Sequence, residues 1–204
     1  THFFAFGKGC AFHYKKSFPD CQIKYIQVGS ASFDRLHELN KIVVPRKNKT
    51  LLYVSTCYFL NNWYLADTSR IVEDINIYQQ QEIILAGLKA LPKTTDILLK
   101  LFPTRVEGTI PLDQENLSAN IKVIHYNPTF SELIPQADIL LIDRASTPLL
   151  QALTTNKPCF LLQSIEIHSD ALELLKKRVV CEIDPKKLME RVRDFVEHGI
   201  YPAN

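Results

Sequence analysis

The amino-acid sequence predicts an α/β fold, in which a doubly wound parallel sheet of about six strands carries helices on both faces. The first observation behind this prediction is a pattern: short runs that are apolar throughout alternate with longer segments of helical periodicity. Strands without a polar side belong to parallel sheets, because helices cover both faces of such sheets. The second observation is composition, since 204 residues with 46% hydrophobic and 23% charged side chains are typical of a globular protein with a core of its own.

Six apolar runs are the predicted strands, and each is bounded by polar residues or proline. They cover residues 51–54, 96–100, 121–125, 139–142, 159–162 and 179–183. Helices are predicted between them over 69–91, from 129 to about 135, over 148–155, over 169–177 and from 184 onward. The polar, turn-rich segment 103–118 is predicted to be a long loop.

Local start and stop signals support these helices. Pro92 ends the first one, because proline cannot continue a helix. Thr129 and Glu132 have the spacing of a capping box. Asp184 followed by Pro185 combines an acidic N-cap with proline at the first helical position, and therefore predicts the start of the last helix.

The first 45 residues differ from the rest, and they hold three of the six glycines. A strand and turn are predicted over 24–30 and a short helix over 32–40. The charged joint from Pro45 to Thr50 is the predicted boundary. Residues 1–45 are therefore interpreted as the tail of an N-terminal domain with its linker, and 46–204 as a Rossmann-like domain. The start at Thr1 fits a piece of a longer protein.

Charge and cysteine usage exclude several classes of function. A formal net charge of +2 gives no basic stripe for nucleic acid, and no apolar run is long enough to span a bilayer. The five cysteines contain no CxxC pair, so zinc is not expected and a reducing cytoplasm is the simplest location. Neither a P-loop nor a G-x-G-x-x-G fingerprint is present, which argues against nucleotide hydrolysis and NAD chemistry.

Candidate binding residues follow the strands, because ligands of open parallel sheets bind beyond the carboxyl ends of the strands. The polar residues at these positions are Ser55 and Thr56 after the first strand, Lys100 at the end of the second, Tyr126 and Asn127 after the third, and Asp143, Arg144, Ser146 and Thr147 after the fourth. We expect them to lie along one edge of the sheet.

The segment after the fourth strand carries the most information. Ser146 and Thr147 precede Pro148, so one hydroxyl is expected at the N-cap of the next helix, where backbone N–H groups can bind an anion. Gln151 lies one turn further on and could hydrogen-bond a ribose hydroxyl. The alternative is that Ser146 or Thr147 only caps the helix, as most helices require a cap.

The stretch from Ala137 to Cys159 resembles a signature of GT-B glycosyltransferases, and in particular of bacterial surface- and capsular-polysaccharide transferases and CDP-glycerol glycerophosphotransferases. Their pattern is an apolar strand followed by D-x-x-S-S/T, then E-A-L, then G-K-P. Lys100-Leu101-Phe102-Pro103 is similar to their K-x-H-P, and Gly29-Ser30 with Asp34 and Leu36 is similar to their G-S-x-x-x-D-x-L segment.

The resemblance implies that this chain is the donor-binding, C-terminal half of such a transferase, with no metal and no cofactor. The donor would be a nucleotide-activated sugar or polyol phosphate, and the missing N-terminal domain of the same protein would be a partner. Carried over residue by residue, the resemblance implies phosphate contacts for Ser146 and Thr147 beside Asp143 and Arg144, a ribose contact for Gln151, a phosphate-side position for Ser55 and Thr56, charge compensation by Lys100, and base contacts for Tyr126 and Asn127.

Three positions depart from the family pattern. Gln151 stands where the family carries Glu, Phe102 stands where it carries His, and Gly7-Lys8-Gly9 stands where it often carries Q-H-G. No catalytic residue is therefore assigned, and this fragment alone is not expected to catalyse transfer. The alternatives are a UDP-sugar 2-epimerase-like enzyme and a degenerate binding or scaffold domain.

A basic cluster on the last helix and just before it is the remaining feature. It comprises Lys176, Lys177, Arg178, Lys186, Lys187, Arg191 and Arg193. It could dock peripherally on an anionic inner membrane. The alternative is a solvated helix face, because acidic residues are interspersed.

Overall fold

The computed structural model describes residues 2–5, 7–39, 47–58, 74–102 and 116–201. The chain divides into two compact units, Thr1–Ile42 and Val43–Asn204. The interpretation of the first unit as the tail of a preceding domain stays a prediction.

The first unit is a small α/β element. Its strands β1 (His2–Ala5) and β2 (Lys24–Gln27) pair in parallel, and α1 (Lys8–Ser17) connects them before α2 (Ala31–Leu39). The predicted strand and helix near residues 24 and 32 are thus confirmed. β1 and α1 were not predicted, because Gly7 and Gly9 indicate a turn. In the structure Gly7 is an extended N-cap residue and Gly9 lies in the first turn of α1.

The second unit contains every strand that the sequence predicts, within two residues at each end. Its strands are β3 (Lys49–Val54), β4 (Thr95–Lys100), β5 (Ile121–Ile124), β6 (Ile139–Ile142), β7 (Cys159–Leu162) and β8 (Val180–Glu182). Its helices are α3 (Asp74–Lys89), α4 (Phe130–Leu133) with a 3₁₀ turn (Ile134–Gln136), α5 (Thr147–Ala152), α6 (Ser169–Lys176) and α7 (Pro185–His198). The predicted residues 69–73 and most of the predicted loop 103–118 lie outside the described residues.

The helix α5 ends three residues earlier than the sequence predicts. The hydroxyl of Thr154 donates to the carbonyl of Gln151 at 2.7 Å, and the hydroxyl of Thr155 donates to that of Ala152 at 2.8 Å. Threonine side chains that bond to nearby carbonyls compete with the helix ladder. They therefore close the helix at this point.

The six strands of the second unit form one parallel sheet in the order β5-β4-β3-β6-β7-β8. From the central pair β3 and β6 the chain winds outward in both directions. Because parallel crossovers are right-handed, α3 covers one face and α5 and α6 cover the other. α7 packs against α3 and so returns to the first face. The predicted doubly wound, Rossmann-like fold is confirmed, and its topological switch point lies between β3 and β6.

The core lies on both sides of this sheet, which explains why the strands carry no polar face. Leu51, Leu52 and Tyr53 of β3 are fully buried. Under the sheet α3 approaches α7 so closely that a Cβ at Gly87 would lie 2.7 Å from Met189 Cγ. Glycine is therefore required at this helix contact.

The segment that follows α7 is anchored where β7 and β8 begin. Gly199 adopts φ 71° and ends the helix. The Tyr201 ring then packs on Phe160, with centroids 5.6 Å apart, and its hydroxyl accepts from the Cys159 amide at 3.1 Å. The same hydroxyl lies 2.9 Å from the carbonyl of Arg178. Tyr201 thus joins β7 to the segment that precedes β8.

Candidate functional site

A chain of hydrogen bonds crosses the carboxyl edge of the six strands and joins each strand end to the next. At the β5–β4 end, Lys100 Nζ donates to the carbonyl of His125 and, at 3.0 Å, to that of Tyr126. Burial lowers the pKa of the Lys100 ammonium. The amine therefore fixes the segment after β5 through two backbone carbonyls.

The next link joins β4 to β3. The Ser55 amide donates to the carbonyl of Lys100 at 3.0 Å, and the Ser55 hydroxyl lies 3.5 Å from the same oxygen. Ser55 is buried. It therefore continues the strand pairing by one residue beyond β3.

The third link lies at the switch point and centres on Asp143. The Thr56 amide donates to its two carboxylate oxygens at 2.8 and 2.9 Å, and the Thr56 hydroxyl donates to Oδ1 at 2.7 Å. The Tyr53 hydroxyl and Gln81 Nε2 donate to Oδ2 at 3.0 and 2.9 Å. The carboxylate is buried, and protein donors occupy both of its oxygens.

Two opposing effects act on the pKa of Asp143. Burial raises it, and the hydrogen bonds from Thr56, Gln81 and Tyr53 lower it, with burial the larger effect. The pKa of the Tyr53 hydroxyl is raised as well, first by burial and then by the neighbouring Asp143 carboxylate. Both pKa values are thus raised chiefly because the two groups are buried together.

The remaining links complete the edge. The Ser164 hydroxyl after β7 donates to the carbonyl of Asp143 at 2.8 Å. The Gln163 amide donates to the carbonyl of Glu182 in β8 at 2.8 Å. All six strand ends are therefore connected, in the order in which the strands stand in the sheet.

Four of the predicted site residues form an inner layer of this edge: Ser55, Thr56, Lys100 and Asp143. All except half-buried Thr56 are buried, and their polar atoms bond to other protein groups. The Thr56 hydroxyl, for example, donates its only hydrogen bond to Asp143. This geometry favours a positioning role for the inner layer over direct contact with a ligand.

The other six predicted residues form an outer rim. Ser146, Thr147, Tyr126 and Asn127 are exposed, and Arg144 and Gln151 are half-buried. The rim is formed by the ends of β5 and β6, and the chain of links through Lys100 and Asp143 connects the two parts. Nine of the ten residues lie at or just after the carboxyl ends of the strands, as the sequence predicts, and Gln151 lies within α5. The division into two layers was not predicted.

Ser146 occupies the N-cap position of α5, as the sequence predicts, but its side chain makes no capping hydrogen bond. Its hydroxyl lies 3.4 Å from the carbonyl of Arg144. The capping alternative is thus not supported by the side-chain geometry.

A narrow cleft opens at the switch point between the inner layer and α3. Its accessible volume of about 10 Å³ accommodates roughly one water molecule. The cleft is lined by Thr56, Ile77, Gln80, Gln81, Asp143, Arg144 and Ser164.

One residue of this site, Gln81, was not singled out from the sequence. The Tyr58 hydroxyl donates to Gln81 Oε1 at 2.6 Å. A signal for Gln81 does exist: it lies at helical spacing between Ile77 and Ile84, on the apolar face of α3. A polar residue in an apolar stripe indicates a buried polar contact.

In the part of the chain that the structure describes, no three His, Cys, Asp or Glu residues come together as metal ligands would. No helix in the same part is both long and apolar enough to cross a membrane. In the basic cluster, Arg191 on α7 pairs with Glu182 at 3.6 Å. Phe102, at the position of the family's histidine, is 51% exposed.

No protein-family model matches the chain, and no curated protein matches it. Among solved structures, the chain is similar to a variant of the wall teichoic acid polymerase TagF, with a TM-score of 0.51 and 13% identity over 93% of this chain and 48% of that one. The glycosyltransferase SnogD from Streptomyces nogalater is similar with a TM-score of 0.47 and 16% identity, over 76% of this chain and 38% of that one.

A third solved structure is KpsC from Thermosulfurimonas dismutans, a beta Kdo 2,4 transferase, with a TM-score of 0.39 and 16% identity over 78% of this chain and 53% of that one. The chain thus spans 38 to 53% of the length of these three proteins. At such identities a likeness shows the fold alone. The resemblance predicted from the sequence is confirmed at this level: the chain has the fold of the part of a wall teichoic acid polymerase that it matches, which is 48% of that protein.

Proposed function

We propose that the second unit binds the nucleotide part of an activated sugar or polyol-phosphate donor, and that the whole protein is a GT-B-like transferase of cell-surface polysaccharide synthesis. The observation that carries this proposal is the position of the rim. Arg144, Ser146 and Thr147 follow β6, one of the two strands that flank the switch point, and both hydroxyl residues are exposed. Open α/β sheets bind their ligands at such a point.

The chemistry of the rim fits the phosphates of a donor. The guanidinium of Arg144 carries a permanent positive charge, and the exposed hydroxyls of Ser146 and Thr147 can donate to phosphate oxygens. When the donor bond breaks, negative charge grows on the departing nucleotide phosphate. Preorganised donors beside that charge would stabilise the transition state.

The rest of the rim fits a nucleoside. Gln151 lies one turn into α5, where its amide can hydrogen-bond a ribose hydroxyl. The exposed ring of Tyr126 offers a surface on which a base can stack, and Asn127 beside it offers both a donor and an acceptor. Lys100 holds this segment in place through the carbonyl of Tyr126. The inner layer would thus support the base side and the phosphate side of one site.

The proposal assigns the acceptor and the transfer chemistry to the N-terminal domain, of which the first unit would be the end. It includes neither metal nor cofactor, as the resemblance to GT-B transferases implies. The basic cluster of α7 could hold the protein against an anionic membrane surface. The role of the N-terminal domain, the absence of metal and cofactor, and the membrane contact all stay predictions.

A second candidate function is a nucleotide-sugar-binding domain that does not transfer. Exposed Phe102 favours it, since an apolar ring cannot exchange protons as the family's histidine could. Incubation of the whole protein with a nucleotide sugar, followed by product analysis, separates the transferase, this candidate and the epimerase alternative. A transferase moves the sugar to an acceptor, an epimerase returns an epimerised sugar nucleotide, and a binding domain returns the donor unchanged.

Calorimetric titration of the chain with UDP, CDP and CMP tests the proposal. We expect saturable one-site binding of at least one of the three nucleotides. Absence of binding to all three would overturn the proposal. A titration with ribose 5-phosphate serves as the control, because it presents phosphate and ribose without a base and is expected to bind more weakly.

A further inference from the structure

Gln81 has a polar side chain at a position where α3 otherwise buries apolar residues. It is 1% exposed and lies one helical turn from Ile77 and from Ile84. Burying an amide without partners costs free energy, so such a group is normally hydrogen-bonded. At this position leucine would be expected if packing alone decided.

All the hydrogen-bonding groups of the Gln81 amide are used, and they join three segments. Nε2 donates to the carbonyl of Thr56 at 2.9 Å and to Asp143 Oδ2 at 2.9 Å. Oε1 accepts from the Tyr58 hydroxyl at 2.6 Å. One side chain thereby connects α3 to the segment after β3 and to the segment after β6.

We propose that Gln81 is a positioning residue that locks these two segments together and so fixes the rim of the donor site. Its second half, that Gln81 fixes the rim of the donor site, rests on the proposed function. Arg144 directly follows Asp143 in the chain, and Ser146 is only three residues away. A shift of the Asp143 backbone would therefore move the phosphate-side groups with it.

The lock is specific to an amide. A leucine would fill a similar volume but leave the carbonyl of Thr56 and the hydroxyl of Tyr58 without Gln81 as partner. Asp143 would still have Tyr53 and Thr56 as donors, so the sheet itself is expected to survive. The Thr56 amide would open more often, because Gln81 no longer holds the Thr56 carbonyl. Loss of Gln81 should therefore loosen the edge rather than unfold the core.

Hydrogen exchange measures the lock without any ligand. In Gln81→Leu we expect the protection factor of the Thr56 amide to fall at least tenfold, while the amides of β3 from Leu51 to Tyr53 keep their protection. Gln79→Leu is the matched control, because Gln79 is exposed on the same helix. Unchanged protection of Thr56 in Gln81→Leu would overturn the lock.

Gln81→Glu provides a second readout that a purely structural role would not move. It places a carboxyl beside Asp143, and two adjacent carboxyls favour sharing one proton. The protection factor of Thr56, which corrects for the intrinsic pH dependence of exchange, should rise as the pH falls from about 8 to about 5. The titratable groups that interact with Asp143 are Tyr53, Cys57 and Tyr58. Cys57 and Tyr58 in turn interact with Arg144 and, on α3, with Asp74, Tyr78 and Glu82. A flat profile would contradict the direct contact.

Nucleotide affinity then tests the second half of the proposal. At a temperature where all variants are folded, the nucleotide that binds the wild type should bind Gln81→Leu at least tenfold more weakly and Gln79→Leu equally well. Equal affinity in Gln81→Leu, with protection lost, would overturn the role in the site. Failure of the wild type to bind any nucleotide would overturn the proposed function instead, and the exchange experiments would still decide the lock.

Discussion

Thr56 and Asp143 meet across the switch point of the sheet, 87 residues apart in the chain, with both the amide and the hydroxyl of Thr56 donating to one carboxylate. The pair closes the boundary between the two halves of the doubly wound fold. It also orients the segment that continues into Arg144 and Ser146. The switch point is therefore a hydrogen-bonded polar junction, and the rim residues that are proposed to bind the donor follow it in the chain.

Thr56→Val tests this junction. The change removes the hydroxyl bond to Asp143 but keeps the amide bond, and a hydrogen bond to a charged group contributes about 2 kcal/mol. We expect the free energy of unfolding in urea to fall by about that amount. Thr154→Val, which removes a bond to an uncharged carbonyl, should cost at most about 1 kcal/mol. Equal losses in the two variants would contradict the role of the carboxylate.

Lys100→Met tests the buried amine by its pH dependence. Burial lowers the pKa of Lys100 below its ordinary value of 10.5 in the folded state. Between that lowered pKa and 10.5 the unfolded chain binds more protons, so the wild type gains stability as the pH rises. We expect the unfolding free energy of the wild type, relative to Lys100→Met, to increase from neutral pH toward pH 10.5. A difference that does not change with pH would contradict the burial of the amine.

Gly87→Ala tests the close contact of α3 with α7. The new methyl group would lie 2.7 Å from Met189 Cγ and 2.9 Å from its Cβ, so the Met189 side chain or the two helices must shift. Overpacking of this kind costs about 1 to 3 kcal/mol, and thermal unfolding should show a lower midpoint. Gly9→Ala is the control in α1, where nothing lies within 4 Å of the new Cβ, and it is not expected to lower stability.

Tyr201→Phe tests the anchor after α7. The ring would still pack on Phe160, but the hydroxyl that joins Cys159 to Arg178 would be lost. We expect a loss of about 1 to 2 kcal/mol in unfolding free energy. Tyr78→Phe, on exposed α3 surface, should leave it unchanged. If the two variants proved equally stable, the Tyr201 hydroxyl would contribute nothing to the stability of the fold.

The strands of the second unit could be predicted because burial on both faces leaves a continuous apolar run, as at Ile139–Ile142. β1 and α1 could not, because Gly7 and Gly9 have the same local preference in a turn as at the start of this helix. Their pairing with β2 depends on contacts between distant parts of the chain. Local propensity does not contain that information.

The edge that carries the candidate site could also be predicted, since parallel strands end on the same side. The division into an inner layer and a rim could not. Asp143 turns inward because Tyr53, Thr56 and Gln81 converge on it from two other elements. Nothing within the segment after β6 distinguishes an inward carboxylate from a ligand-facing one.

The central claim is that a nucleotide binds at the rim after β6. Its most direct test is the calorimetric affinity of the Ser146→Ala/Thr147→Ala variant for the nucleotide that the wild type binds. We predict at least tenfold weaker binding, with Ser169→Ala at the start of α6 as a control that binds like the wild type. Wild-type affinity in the double variant would contradict the assignment of the phosphate side to these hydroxyls.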